Sequence, residues 1–330
     1  MKTWLFFLLK LVLTAGCLAW AFSGIDVRST ILSRPEELGI GWLAAGLALA
    51  GGAVVFGAFR WQLFLAAQDI HVSFGRVLEM TLIGNLFSLV SVGSLGGDAA
   101  RVLLLARHVP AKKAELAASV MIDHMSGMVA MALMFFLFTA GRFEAVEQQS
   151  ALGKGILHFT WVYFVGGMLA IVVGFVVMSP LIHGRVHRGG RWVRWEFMRT
   201  FPEACDRYRK KWKHLVAGVG ISCLIMVCYY LAFWAGARAV GCEVGAGPFV
   251  AAMPVIDGLS AIPVSVSGLG VREKLFEVLL ADLAGVPKAV AVSASLTGFL
   301  LHVCWSLVGG VLFLLHRGDV TVREIRESHV

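Results

Sequence analysis

Four charged residues stand directly after glycine-rich turns inside otherwise apolar sequence. Asp98 and Arg101 follow Gly93-Ser94-Leu95-Gly96-Gly97, and Arg272 and Glu273 follow Ser267-Gly268-Leu269-Gly270-Val271. Charges at membrane depth cost about 2.5–3.5 kcal/mol each on insertion scales, so they need partners or a function. Each turn supplies one acid and one base. Each also opens a helix whose first N–H groups and positive dipole end favour an anion. A guanidinium matches phosphate oxygens with two parallel hydrogen bonds. Asp98, Arg101, Arg272 and Glu273, with Gly96, Gly97, Gly268 and Gly270 in the turns, therefore form a candidate substrate site. A lipid phosphate head group is the expected ligand. The architectural alternative pairs Asp98 with Arg101, three residues on, and Arg272 with a neighbouring acid.

Asp123 and His124 lie about a turn and a half into the next apolar segment and could face the same cavity. An acid there could exchange protons and couple transport to a proton gradient. The competing reading places Asp123 in an N-terminal turn near the headgroups. Arg60-Trp61 reads as an interfacial anchor at the end of its segment, and His302 as a satisfied core histidine. The sequence holds no Walker loop, no nucleotide-binding strand-turn-helix unit and no H-E-x-x-H, and its Gly-Ser-Leu-Gly-Gly run lacks the lysine of a phosphate loop. No two of Cys17, Cys205, Cys223, Cys228, Cys242 and Cys304 make a C-x-x-C pair, so neither a zinc site nor a disulfide framework is supported. No catalytic residue, metal or cofactor is expected.

The elements that must position these residues are membrane spans. Of 330 residues, 58% are hydrophobic and 15% charged, against about a quarter charged in soluble domains, and the mean hydropathy is +0.79. The formal charge of +8 comes from basic residues between apolar blocks, which is positive-inside anchoring and not a nucleic-acid footprint. Lys2, Leu5 to Leu13 and Ala19-Trp20-Ala21 resemble a secretory signal, but Lys10 interrupts the core and further spans follow, so a retained first helix with a cytoplasmic start is expected. Residues 40 to 66 then return inward. If residues 77 to 92 crossed fully, Arg101, Arg107, His108, Lys112 and Lys113 would lie outside. A hairpin over 77 to 108 that enters from the cytoplasm and goes back keeps them inside. Residues 116 to 140 go out and 157 to 179 return to a strongly basic cytoplasmic loop, 181 to 213. There Trp192, Trp195, Phe197 and Phe201 interleave with arginines, as in a helix lying on anionic lipid. Residues 214 to 237 go out. The run from 249 to 284, with Pro254, Asp257 and Pro263, dips from outside, and 289 to 315 cross inward. Six full spans, two re-entrant hairpins and cytoplasmic termini close the parity.

The two turns also match each other. Val90-Ser91-Val92-Gly93-Ser94-Leu95-Gly96 and Val264-Ser265-Val266-Ser267-Gly268-Leu269-Gly270 share five residues in seven at an offset of 174. Each is preceded by a long span and a half-segment and followed by a helix start, a short loop and another span. Units of roughly 40 to 140 and 214 to 315 with opposite orientation make an inverted repeat, a transporter signature whose substrate site lies near the midplane. Irregular backbone at that depth must face protein or a polar cavity. The alternative is two glycine kinks in ordinary packed helices.

Arg60-Trp61, Gly96-Gly97-Asp98 with Arg101, Asp123 with Gly127, Pro263 with Gly268-Leu269-Gly270-Val271-Arg272-Glu273, and Gly309-Gly310, in this order, resemble the lysylphosphatidylglycerol synthase transmembrane, or flippase-like, family. The resemblance covers nearly the whole chain, although His124 stands where the family commonly has arginine. It implies a bacterial or archaeal cytoplasmic-membrane protein that handles lipids, in a family whose best understood members move aminoacylated phosphatidylglycerol between leaflets. The larger members carry a soluble catalytic domain, and with the chain ending at Val330 its aminoacyl transfer is not expected. Relatives are associated with hopanoid metabolism and with glycosyl transfer from lipid carriers. The reading is an all-α, polytopic membrane translocase for a phosphate-bearing amphipathic lipid, with lipid-biosynthesis enzymes as candidate partners. The alternatives are an enzyme using a lipid-linked donor, with Asp98 or Glu273 as base, and an accessory subunit of lipid synthesis.

Overall fold

A computed structural model describes residues 38–90, 95–139, 151–177, 196–262 and 265–327. The expected first helix, the turn residues 91–94 and 263–264, and Trp192 and Trp195 lie outside the described residues. The described elements are α1 (Ile40–Ala67), α2 (Phe74–Val90), α3 (Leu95–Ala106), α4 (Lys113–Met134, prolonged by a π-turn, Phe135–Thr139), α5 (Ala151–Val177), α6 (Glu196–Lys210), α7 (Trp212–Ala239), α8 (Ala246–Ser260), α9 (Val271–Ala284) and α10 (Lys288–Glu327).

Within these, five helical stretches are long and apolar enough to cross a bilayer: Ile40–Ala67, Lys113–Thr139, Leu152–Gly174, Trp212–Ala239 and Lys288–Leu315. They carry their hydrophobic residues outward as well as inward. Leu169, Val172 and Val173 on α5 and Leu300, Leu307, Val311 and Leu314 on α10 are half or more exposed, an arrangement water would penalise and lipid favours. The chain is a multi-pass membrane protein.

Helices α2, α3, α8 and α9 are too short to span. Even α2, the longest of them, rises only roughly 25 Å, against a hydrocarbon core of about 30 Å. They fold back in antiparallel pairs. In the first, Gly97 lies so close to Gly84 and Ser88 that a Cβ would strike Ser88 Oγ and the Gly84 carbonyl, while Gly84 in turn abuts Arg101. In the second, Phe249 meets Phe276 at 5.8 Å between ring centroids, and Gly268 sits against Ser260.

The largest helix contact is between α1 and α7, which run antiparallel along their whole length. Gly39 N–H donates to the Ala239 carbonyl at 3.0 Å, Arg60 meets Ser222, and Phe64 fills the space over Gly218. Small residues permit equally close approach elsewhere. Gly309 of α10 presses on the Leu82 backbone of α2, and Gly236 of α7 on the Gly298 backbone of α10. The sequence of a long helix, two short ones and a long one thus occurs twice, as α1–α4 and α7–α10.

Polar side chains gather at one end of the bundle. Lys112 Nζ donates to the Asp69 carbonyl at 2.9 Å, so α3 ends on the side where α2 began. Lys211 Nζ donates to the Ala67 carbonyl and to Asp69 Oδ1, both at 2.9 Å. Asp69 takes a left-handed φ of 55°, and the Lys211 ammonium beside it holds its carboxyl below the usual carboxylate range. α6 docks here. Tyr208 is fully buried and donates to the Phe64 carbonyl at 2.8 Å, Gln68 Nε2 donates to the Ala204 carbonyl at 2.7 Å, and Arg207 reaches Glu115 at 3.5 Å. Residues 203–211 are thus clamped onto the end of α1 and the start of α4, while the side chains of Phe197 and Phe201, like Trp192 and Trp195, lie outside the described residues.

Candidate functional site

The first charged group is assembled from four helices. Asp123 lies roughly 15 Å along α4 from its start. It is 1% exposed. Its carboxylate accepts from Arg60 Nε at 2.6 Å through Oδ1 and from Arg101 Nη1 at 3.0 Å through Oδ2. Arg60 Nη1 donates to Ser222 Oγ on α7 at 2.8 Å, and Arg101 Nη2 also donates to Asp98. The Arg101 guanidinium lies 5.3 Å from the Trp61 ring centroid, a cation–π arrangement. Trp61 is itself fully buried and donates to Ser119 Oγ at 3.2 Å. His124 is 46% exposed, with Nδ1 3.5 Å from Asp98. One buried carboxylate therefore holds two arginines from separate elements, which is the condition under which buried charge is tolerable.

The second group is built at the start of α9. Gly268 and Gly270 take φ of 71° and 84°, left-handed conformations open to glycine at little cost. Gly270 N–H donates to Glu273 Oε2, so Glu273 reaches back from the third helical position to cap its own helix. Its Oε1 accepts from Arg272 Nη2 and from Ser295 Oγ, both at 2.9 Å, and Arg272 Nε lies 3.2 Å from Ser295 Oγ. The guanidinium sits 4.2 Å over the Phe299 ring. Glu273 is 0% exposed, and its lone pairs go to the helix cap and the ion pair.

The two groups share one cavity of about 480 Å³, lined by Arg60, Arg101 and Asp123 from one side and Asp257, Arg272 and His302 from the other. The tips of the two short-helix pairs meet beside it, where Ser267 Oγ donates to the Leu89 carbonyl at 2.9 Å and so satisfies a carbonyl at the end of α2. The cavity wall includes Ala53 to Arg60 of α1, Ile225 and Tyr229 of α7, and Phe299 to Ser306 of α10. Each stretch falls near the middle of its spanning helix, so the cavity is at mid-height. Three guanidiniums, each paired with a carboxylate, border this mid-height cavity, and a guanidinium that exchanges one partner can take up an anion.

The structure brings Arg101 and Arg272 to one cavity. Asp98 and Glu273 appear as their ion-pair partners, the pairs the architectural alternative named. Asp123 does not stand in the first turn of α4, whose helix begins at Lys113, and its carboxylate is held between Arg60 and Arg101. Two further sequence readings need correction. Arg60 is no interfacial anchor: its side chain is 12% exposed and points inward to Asp123. His302 is no satisfied core histidine, since it lines the cavity, its ring packs 4.5 Å from that of Tyr229, and its Nε2 makes no hydrogen bond to a described residue. Asp257 also lines the cavity, although the sequence marked it only as an interruption of an apolar run. Among the described residues no group of three or more His, Cys, Asp or Glu could hold a metal ion.

A sequence-family model described as the lysylphosphatidylglycerol synthase TM region matches residues 7–310. No curated protein matches the chain.

Proposed function

The chain belongs to the family of lysylphosphatidylglycerol synthase transmembrane regions, and on that premise we propose that it is a lipid translocase of the bacterial cytoplasmic membrane. Its cargo is an amphipathic lipid whose phosphate is bound between Arg101 and Arg272. The observation that carries this reading is the mid-height cavity into which both arginines open, one from each half of the chain. Transporters built from inverted repeats place substrate where broken helices meet. The antiparallel α1 and α7, the repeated order of elements, and two short-helix pairs that start from opposite ends of the bundle are what such a repeat would produce. In this reading the pairs are re-entrant hairpins, α2–α3 entering from the cytoplasm and α8–α9 from outside, with both termini cytoplasmic.

Phosphate binding proceeds by exchange of partners. Arg101 is shared between Asp98 and Asp123, so a phosphate oxygen can replace one carboxylate while the other keeps the guanidinium in place. Gly96 and Gly97 at the start of α3, and Gly268 and Gly270 before α9, set the helix N-termini beside the two arginines. Asp98 and Glu273 then orient arginines and do not act as bases.

The test is native mass spectrometry of the protein purified in mild detergent and supplied with phosphatidylglycerol or a polyprenyl phosphate. Arg101→Gln and Arg272→Gln are each expected to lose bound lipid while remaining folded. Retention of lipid by both variants would remove the phosphate site, and transfer of a glycosyl or aminoacyl group dependent on the protein, without lipid movement, would favour an enzyme.

A further inference from the structure

We propose that Asp257, Ser260 and Ser265, at the broken end of α8, form a binding site for a sodium ion on the cavity wall opposite Asp123. Asp257 and Ser260 are three residues apart in the last turn of α8 and share a face. The chain then folds back, with Gly268 against Ser260, and returns Ser265 to the same cavity wall.

Three features point to a cation. The first is a carboxylate without a cationic partner. No lysine, arginine or histidine forms an ion pair with Asp257 among the described residues, whereas Asp123 and Glu273 each hold an arginine. Arg272 acts on Asp257 only from a distance, its guanidinium being bonded to Glu273. The other groups facing Asp257 are Tyr229 of α7, whose hydroxyl hydrogen-bonds to the carboxyl, Tyr230 of the same helix and Tyr163 from α5, none of them a cation.

The second feature is a set of orphaned oxygens. Ser260 Oγ, Ser265 Oγ and Tyr230 Oη are buried and make no hydrogen bond to any described residue, and Ser265 is only 3% exposed. Buried hydroxyls are normally satisfied, so several orphans around one carboxylate call for a ligand. The third feature is the helix end itself. The C-terminal carbonyls of α8 carry the negative end of its dipole, and broken helices use such ends, with hard oxygen ligands, to hold sodium. An anion would meet Asp257 and the wrong end of the dipole. The phosphate site, with three guanidiniums, lies on the rest of the cavity.

Occupation of this site would neutralise Asp257, which shares the cavity with Arg272, and leave more of that arginine's field for the lipid phosphate, coupling sodium to lipid. The coupling rests on the translocase reading, but the binding of sodium does not. The test is therefore thermal unfolding of the purified full chain at fixed pH and ionic strength, with sodium replacing choline or potassium. A saturable rise of roughly 2–4 °C is expected between about 1 and 150 mM sodium and not with potassium. Asp257→Asn should lose the rise, and Ser265→Ala and Ser260→Ala should each shift its midpoint about tenfold. Size-exclusion chromatography checks that each variant is folded, and the serine variants keep the test open if Asp257→Asn is not. No sodium-specific rise, a rise retained in Asp257→Asn, or a rise produced only by lowering pH would overturn the site. Sodium stabilisation without any lipid movement in vesicles would leave the site standing and remove the translocase instead.

Discussion

Asp123→Asn tests the hub of the first charged group. The substitution keeps the shape of the side chain but removes the charge that two guanidiniums share, at 2.6 and 3.0 Å. Removing one partner of a buried ion pair costs about 3–5 kcal/mol. Arg60 and Arg101 are 12% and 15% exposed and border the cavity, and Arg101 keeps Asp98, which places the loss at the low end, about 3 kcal/mol. For a chain of this size that is a fall in melting temperature of roughly 6 °C. The assay is thermal unfolding in detergent, with Lys210→Ala as control. Lys210 is 77% exposed in its pair with Asp206, and its removal should cost less than about 0.5 kcal/mol. A double-mutant cycle of Asp123→Asn with Arg60→Gln should give a coupling of about 1.5 kcal/mol. If Asp123→Asn is no more destabilising than the control, or the cycle shows no coupling, Asp123 does not organise the site.

Other perturbations separate the fold's requirements. Gly97→Ala drives a Cβ into Ser88 Oγ and the Gly84 carbonyl and should destabilise by about 3 kcal/mol, whereas Gly166→Ala, with nothing within 4 Å, should be neutral in the same melting assay. The lowered pKa of Asp69 means that the Asp69–Lys211 contact is fully present above the ordinary carboxylate range and is lost as pH falls through the lower, folded value. Hydrogen exchange in α6 should accordingly rise on acidification below about pH 4, and Lys211→Met should abolish that dependence. The Cys205 thiol, pushed up to about 11 by burial, should resist maleimide at pH 8. Tyr208→Phe, which removes the bond to Phe64, should speed its labelling.

The architecture was legible because lipid imposes simple demands. Apolar blocks of spanning length announced α1, α4, α5, α7 and α10, and the glycines announced where helices stop. Positive-inside bookkeeping anticipated that Lys112 and Lys113 return to the end of the bundle where α2 begins, and the Lys112–Asp69 contact puts them there. The partners within the site were not legible, because they are remote in sequence. Arg60 and Asp123 are separated by 63 residues, Arg60 and Ser222 by 162, and Ser267 and Leu89 by 178. Arg60 was misplaced because a cation beside a tryptophan near the end of an apolar segment looks like an anchor. The helix runs on from there to Ala67. That is about 10 Å of further rise, and the depth it implies was the available signal. The role of α6 was hidden for a different reason: its exposed basic residues advertise a membrane surface, while docking depends on Ala204 and Tyr208, whose burial no charge pattern records.

The claim that Arg101 and Arg272 hold a lipid phosphate in one mid-height cavity is tested most directly by movement of a fluorescent phosphatidylglycerol between leaflets of reconstituted vesicles. The wild-type chain is expected to make the inner-leaflet label accessible to an external quencher, and folded Arg101→Gln and Arg272→Gln variants to reduce that rate at least tenfold each. Equal rates in wild type, both variants and protein-free vesicles would contradict the account.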